Sequence, residues 1–414
     1  MYMDKNSISF SSKRVADSER VGWRAPLFNI LGSNVAISEL MVGGVLVLGM
    51  SFKQLLVTSV IGNLMLVLIL ILQGNIGMRE GLDTYSLAES TFGSTGGKWI
   101  ISLILAITSF GWFGVQAGVA GLSLLRIFPG LNLTMSVVVL GLLMMCFAVL
   151  GFNAMAKFNY LAVPPLIIMM VWGMYKALSV NGIESILSYT PATEMTILEG
   201  LNVVIGVVIV GTIISPDQLR YTRSIKDIVI IAVIGFAFIS IFQQVAAGVL
   251  AMDSPSWDIT EVLENLGFNW IAFLILLLAA WSTNVSNAYS GGLALKTVFP
   301  SLKRETLTII AGLIGTAIAA SGIIFKFQEF LSLLSMTISG IAGIMWVDYY
   351  ILNNRSLKNR EGTNTIAIIC WVLAFIVSFV TDKYKFFIPP INAMIAGGLL
   401  YYLLMLNKKG RNND

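Results

Sequence analysis

The chain has no histidine, two cysteines, and only 12% charged residues among its 414. Without imidazole it lacks the commonest general base and the commonest transition-metal ligand, which weakens any enzyme reading from the start. Cys146 and Cys370 both lie inside apolar runs, as packing residues that leave no disulfide framework to read. A soluble domain carries roughly twice this share of charge. In its place 57% of the residues are hydrophobic, in runs such as VVVLGLLMMCFAVLGFNAMA (137–156) and IVIIAVIGFAFISIFQQVAAGVLA (228–251). Such runs are long enough to cross a bilayer as helices, and they lack the apolar–polar alternation of a transmembrane barrel. The class is therefore an all-α polytopic membrane protein.

Twelve spans are expected, at 26–50, 54–77, 99–125, 133–152, 159–180, 197–216, 227–252, 268–295, 305–325, 330–352, 364–381 and 386–406. The polar, basic stretch 1–25 has no apolar core with a cleavage site and is expected to be a cytoplasmic tail. With that end inside, all but six of the 26 basic residues face the cytoplasm. Lys53, Arg126, Lys176, Lys326, Lys383 and Lys385 are the exceptions, so the positive-inside rule puts both termini in the cytoplasm. The net charge of +4 then reflects topology, and its dispersal over short loops gives no sign of a nucleic-acid partner.

Four spans are expected to be interrupted. Span one has Gly32, Ser33 and Asn34, then Glu39 near its middle, then Gly43 and Gly44. Span three holds SFGWFGVQAG (109–118), span six Gly206, Gly211, Thr212 and Pro216, and span eight AAWSTNVSNAYSGG (279–292). Backbone loosened at membrane depth is tolerated only where it is buried or lines a cavity, and broken helices at matching places in two halves mark a transport site. Spans one and six stand five apart, as inverted repeats of spans one to five and six to ten require.

In span eight Ala279, Ser282 and Thr283 follow at i, i+3 and i+4, so one carbonyl and two hydroxyls share a face suited to an alkali cation. Ser286 and Tyr289 continue that face, and Asn284 points to a neighbouring one. The competing reading of such residues is close helix packing. Trp112 and Gln116, at i and i+4 in span three, offer a flat π-surface beside a donor and an acceptor, which suits a planar heterocycle with an amide-like edge.

FGWFGVQ (110–116), PDQLRYTRS (216–224), AAWSTN (279–284) and SGIAGIMWVDYYILNNR (339–355), with GSNVAISELMVGG (32–44) and VIGNLML (60–66), resemble the nucleobase:cation symporter-1 family of cytosine and hydantoin permeases. The resemblance implies twelve transmembrane helices, ten of them in the LeuT-like 5+5 inverted repeat and two additional. It implies a first repeat at 26–180, an extracellular loop at 181–196, a second repeat at 197–353, and the last two helices with a cytoplasmic tail at 354–414. It also implies a cation site, with Na+ as candidate, of the Ile30 and Ser33 carbonyls, the Ala279 carbonyl and the Ser282 and Thr283 hydroxyls. The implied substrate site stacks a ring on Trp112, bonds its edge with Gln116 and Asn284, and has Asn34 alongside. Two positions depart from the family. Val208 stands where the second stacking aromatic belongs, and Glu39 stands where a small or apolar residue belongs.

The expected function is import of a nucleobase or related small heterocycle across the cytoplasmic membrane, by Na+ or H+ symport and alternating access. No further cofactor is expected, and the transport unit is expected to be monomeric. Glu39 is a possible coupling acid or a reader of an amino-bearing substrate. Alternatives within the class are a hydroxymethylpyrimidine, hydantoin or allantoin permease. An ion channel lacks a filter sequence, and an intramembrane enzyme lacks paired acids or a Ser or Cys beside a base.

Overall fold

The computed structural model describes residues 13–149 and 152–411. Within them the side chains of 29, 32–33, 152–163, 180–181 and 409–411 lie outside what is described. Among the described residues there are helices and one isolated bridge, Val21 to Thr222, and no strand. Lipid offers the backbone no hydrogen bonds, so each apolar run must pair its own N–H and C=O groups as a helix.

The chain opens with α1 (Arg24–Asn34) and α2 (Ile37–Gly49), the two halves of span one. A capping box of Ser51 and Gln54 starts α3 (Phe52–Glu80), and Gly81 ends it in the left-handed conformation at φ 64°. Asp83 caps a short α4 (Thr84–Phe92). A π-helical turn, Gly96–Ile101, leads into α5 (Ser102–Ile127), followed by α6 (Leu133–Val149) and α7 (Phe152–Leu187). The second half brings α8 (Ile197–Ile213), the single turn α9 (Pro216–Leu219), and α10 (Ile225–Ala232) joined to α11 (Ile239–Ala251) through the π-helical Val233–Phe238. Then come α12 (Ile259–Asn265), α13 (Trp270–Val298), α14 (Arg304–Ala320), α15 (Phe327–Trp346), α16 (Thr365–Lys383) and α17 (Pro389–Arg411).

A helix meets each of the twelve expected spans. Among the described residues, eight helices are long and apolar enough to cross a membrane, and α2 and α6 are shorter apolar helices. The small α4 and α12, absent from the sequence reading, lie outside the spans.

Two expected interruptions do not occur. The SFGWFGVQAG stretch is uninterrupted helix in α5, and α13 runs 29 residues without a break. Their glycines admit neighbours instead. A Cβ on Gly111 would stand 2.4 Å from the Phe330 ring, and one on Gly292 would stand 2.4 Å from Thr308 Oγ1. In span six the helix runs through Gly206 and Gly211 and stops at Ile213, before Pro216. Of the two cysteines, Cys370 is buried as expected and Cys146 is exposed.

α13 packs along α5, and α2 packs along α11. Charge gathers at the two ends. At one end Arg220 pairs with Asp83 at 3.0 Å, Arg14 with Glu80 at 3.0 Å, and Arg360 holds Asp348 through two bonds of 2.7 Å. At the other end are Arg126 with Glu264, Lys176 with the Leu266 carbonyl, and Lys385 with Glu199.

Candidate functional site

Span one stops being helix at Val35 (φ −77°, ψ 80°) and Ala36 (φ −130°, ψ 151°). A break at this depth strands backbone groups, and the helix containing α11 supplies replacements. Gln243 Nε2 donates to the Asn34 carbonyl at 3.0 Å. Asn34 Nδ2 donates to the Gly235 carbonyl and to Ser240 Oγ, both at 2.8 Å. Gly235 lies in the π-helical turn, a feature that recurs at functional sites.

Glu39, in the first turn of α2, is 1% exposed. Ser240 Oγ donates to its Oε1 at 3.0 Å and Gln244 Nε2 to its Oε2 at 2.7 Å. Gln244 Oε1 in turn accepts from Asn63 Nδ2 at 3.0 Å. An acid at this depth needs partners, and here they are neutral donors.

A cavity of about 610 Å³ lies against the break. From span one it is lined by Ile30, Asn34, Ala36, Ser38 and Glu39, from α5 by Ser109, Trp112 and Gln116, and from α8 by Val207 and Val208. α13 contributes Thr283, Ser286, Asn287 and Tyr289. The cavity reaches Glu19, Asp217, Arg220 and Tyr221, at the end of the molecule where Arg220 pairs with Asp83. Beside Trp112, Phe330 and Phe327 of α15 pack edge-on, with ring centroids at 5.4 and 6.4 Å. Gln116 is 1% exposed, and neither its Oε1 nor its Nε2 has a hydrogen-bond partner. An unsatisfied buried carboxamide is costly, so a ligand that bonds to it would supply the missing partners.

Of the residues expected at the substrate, Asn34, Trp112, Gln116 and Val208 line this cavity. Asn284 does not line it. It is fully buried, its Nδ2 lies 3.2 Å from Met144 Sδ on α6, and its Oδ1 is 3.5 Å from Asn287 Nδ2. The carboxamide that α13 turns to the cavity is Asn287, which sequence reasoning passed over although it stands four residues after Thr283, on the same helical face.

Of the residues expected at the cation, Ile30 and Thr283 line the cavity, on helices α1 and α13 that touch each other. Thr283 Oγ1 donates to the Ala279 carbonyl at 3.2 Å. Ala279 and Ser282 are buried behind the wall. Ser33 is helical backbone in α1, and its side chain lies outside the described residues. Carbonyls and hydroxyls of this kind suit a weakly held alkali ion. Among the described residues, no group of three or more Cys, Asp or Glu could hold a metal ion.

The chain is similar to known proteins in sequence and in fold. The cytosine permease of Escherichia coli K12 is 30% identical over 99% of this chain and 97% of its own length. The structure of Mhp1, a nucleobase-cation-symport-1 family transporter in a closed conformation with bromovinylhydantoin bound, superposes with a TM-score of 0.82 at 21% identity, covering 96% of this chain and 95% of that one. A Na+-coupled sialic acid symporter in a substrate-bound outward-open state gives 0.66 at 14% identity, covering 93% of this chain and 90% of its own. These likenesses establish the LeuT-like fold expected from the sequence. Residues 14–404 match the family described as permeases for cytosine/purines, uracil, thiamine and allantoin, and the chain, a multi-pass membrane protein, belongs to that family.

Proposed function

We propose that the chain is a secondary active transporter of the cytoplasmic membrane, importing a nucleobase or related small heterocycle by cation symport. The observation that carries this reading is the buried, unpartnered carboxamide of Gln116 beside the Trp112 indole on one cavity wall. An indole face takes a flat ring, and a free donor–acceptor pair takes its edge. Asn287 and the first turn of α2, where Ala36 and Ser38 line the cavity, add polar groups around the same space.

The coupling ion is Na+ or H+. Ile30, Ser33, Ala279, Ser282 and Thr283 are the Na+ candidates, and Glu39 is the H+ candidate. The inverted repeats 26–180 and 197–353 rock about this site as a monomeric unit. The concentration of arginine pairs at the end carrying the N-terminal segment supports that end as cytoplasmic, and the cavity then opens inward.

Val208 in place of an aromatic leaves one apolar, non-stacking face, so a ring stacks on Trp112 alone, and hydantoins and allantoin stay among the substrates to test. Uptake of labelled cytosine, uracil, hypoxanthine, hydantoin and allantoin into vesicles, with and without imposed Na+ and H+ gradients, tests the reading. Saturable uptake of at least one ring that collapses without its gradient is expected. Flux linear in concentration and indifferent to both gradients would end it.

A further inference from the structure

Glu39 carries more than the site described so far requires. Asn34 Nδ2 is pinned by the Gly235 carbonyl, which can only accept, so Ser240 Oγ accepts from Asn34 and turns its own proton to Glu39. Asn63 Nδ2 is pinned likewise by the Ser59 carbonyl at 2.8 Å, so Gln244 accepts on Oε1 and gives Glu39 its N–H. Both chains thus deliver a donor to the carboxyl, one to each oxygen. A carboxylate has about four acceptor positions, so one on each oxygen stays open, and Glu39 lines the cavity.

The helices packed against α2 place no charge beside it among the described residues. α11 has no ionisable residue, and α3 carries Lys53, Arg79 and Glu80 only at its ends. α8 has Glu199 in its first turn, α5 has Arg126 in its last turn, and α12 has Glu261 and Glu264. α13 has Tyr289 and, in its last turn, Lys296. Glu19, Asp217, Arg220 and Tyr221 line the cavity at its far end, where Arg220 is paired with Asp83. A charge or proton on Glu39 must therefore be answered from inside the cavity.

We propose that Glu39 reads an amidine-type edge of the substrate, a basic ring nitrogen beside an exocyclic amino group, and that binding takes up one proton, held between the carboxyl and that ring nitrogen. The proposal rests on the heterocycle-transport reading and names its substrate class as amino-substituted heterocycles. The proton comes from solvent. The ring nitrogen and one Glu39 oxygen share it, the amino group donates to the other oxygen, and no other bond is made or broken. An edge of amide type needs no acid, since Gln116 already presents a donor and an acceptor. A charge-assisted bidentate pair distinguishes the amidine edge, because the ring nitrogen is a far stronger base than a carbonyl.

The test is titration calorimetry of the purified full chain with cytosine and with uracil, whose rings match and whose edges differ. Runs in buffers of different ionisation enthalpy count the protons. The wild type is expected to prefer cytosine by on the order of tenfold to a hundredfold. Proton uptake should approach one per cytosine at alkaline pH and vanish at acid pH, where the free carboxyl is already protonated. Glu39→Gln, which keeps one acceptor and one donor, should retain part of the preference and lose the uptake. Glu39→Ala should lose both.

Uracil bound as tightly as cytosine without proton uptake, and released in Trp112→Ala, overturns the role of Glu39 and leaves the transport site standing. Failure of every ring in the uptake panel to bind the wild type overturns both. The wild-type proton count decides the question even if the variants do not fold.

Discussion

Spans one and eight both line the same cavity, and both load glycine and polar side chains at mid-membrane, yet one breaks and the other stays helical. The difference is in the neighbour. Span one lies beside α11 and the π-helical turn before it, where Gly235, Ser240, Gln243 and Gln244 take over the bonds the helix gives up. Span eight lies against α5 and α14, which press the Phe110 ring, Ala311 and Thr308 against its glycines. Its Thr283 hydroxyl turns back on its own helix, to the Ala279 carbonyl. Composition alone does not open a helix in lipid. A partner that satisfies the freed groups does. One wall of the cavity is consequently backbone and an acid, and the other is side chains on an intact rod.

The largest test of that contrast is packing. A Cβ on Gly43 would meet the Gln244 carbonyl at 2.2 Å and the Gly248 nitrogen at 2.8 Å, both backbone and unable to swing aside. Gly43→Ala is therefore expected to cost about 3 kcal/mol, at the upper end of overpacking effects. Gly292→Ala meets the Thr308 hydroxyl at 2.4 Å first, an atom that can rotate, although Thr308 backbone follows at 3.0 Å. It should cost less, about 1–2 kcal/mol. Thermal unfolding of the two variants in one detergent checks the order, and a reversed order breaks the contrast.

Next comes the hydrogen bonding. Gln244→Leu removes a donor from Glu39 and a partner from Asn63, with an expected loss of about 1–3 kcal/mol in the same measurement. Thr283→Val removes only a bond turned back on its own helix and should cost less than about 1 kcal/mol of stability. The cation dependence of substrate binding should nevertheless weaken in Thr283→Val more than in Gln244→Leu. If both variants lose stability equally, the two walls are built alike.

Sequence carried the fold further than the site. Apolar length placed a helix at each expected span, because in lipid that length is itself the physical requirement. The break at Val35–Ala36 was legible from the Gly32–Asn34 and Glu39 cluster, and the shared face of Trp112 and Gln116 from their four-residue spacing. What was not legible depended on which neighbour each polar group met. Glycines that admit Phe330 or Thr308 look the same in sequence as glycines that loosen a helix. The donors to Glu39 lie some two hundred positions away on α11, and no local pattern links Ser240 and Gln244 to it. Asn284 drew attention through the WSTN motif, while Asn287 sat in plain helical register.

That last pair gives the finest test, because it compares two faces of one helix three residues apart. Asn284 is fully buried against Met144, whose sulfur is a weak acceptor, and its remaining partner is Asn287 at the outer limit of a hydrogen bond. Asn287 lines the cavity with only that same long bond to a side chain. Asn287→Ala is therefore expected to lower substrate affinity roughly five- to tenfold, the worth of one neutral hydrogen bond, with little change in stability. Asn284→Ala should leave affinity within about twofold and cost about 1–2 kcal/mol of stability, since it empties a packed site. Titration of both variants with the best-bound ring decides between them. The opposite ranking would mean that α13 rotates on binding to present Asn284, so that the wall seen here as a rigid rod would itself be the moving part.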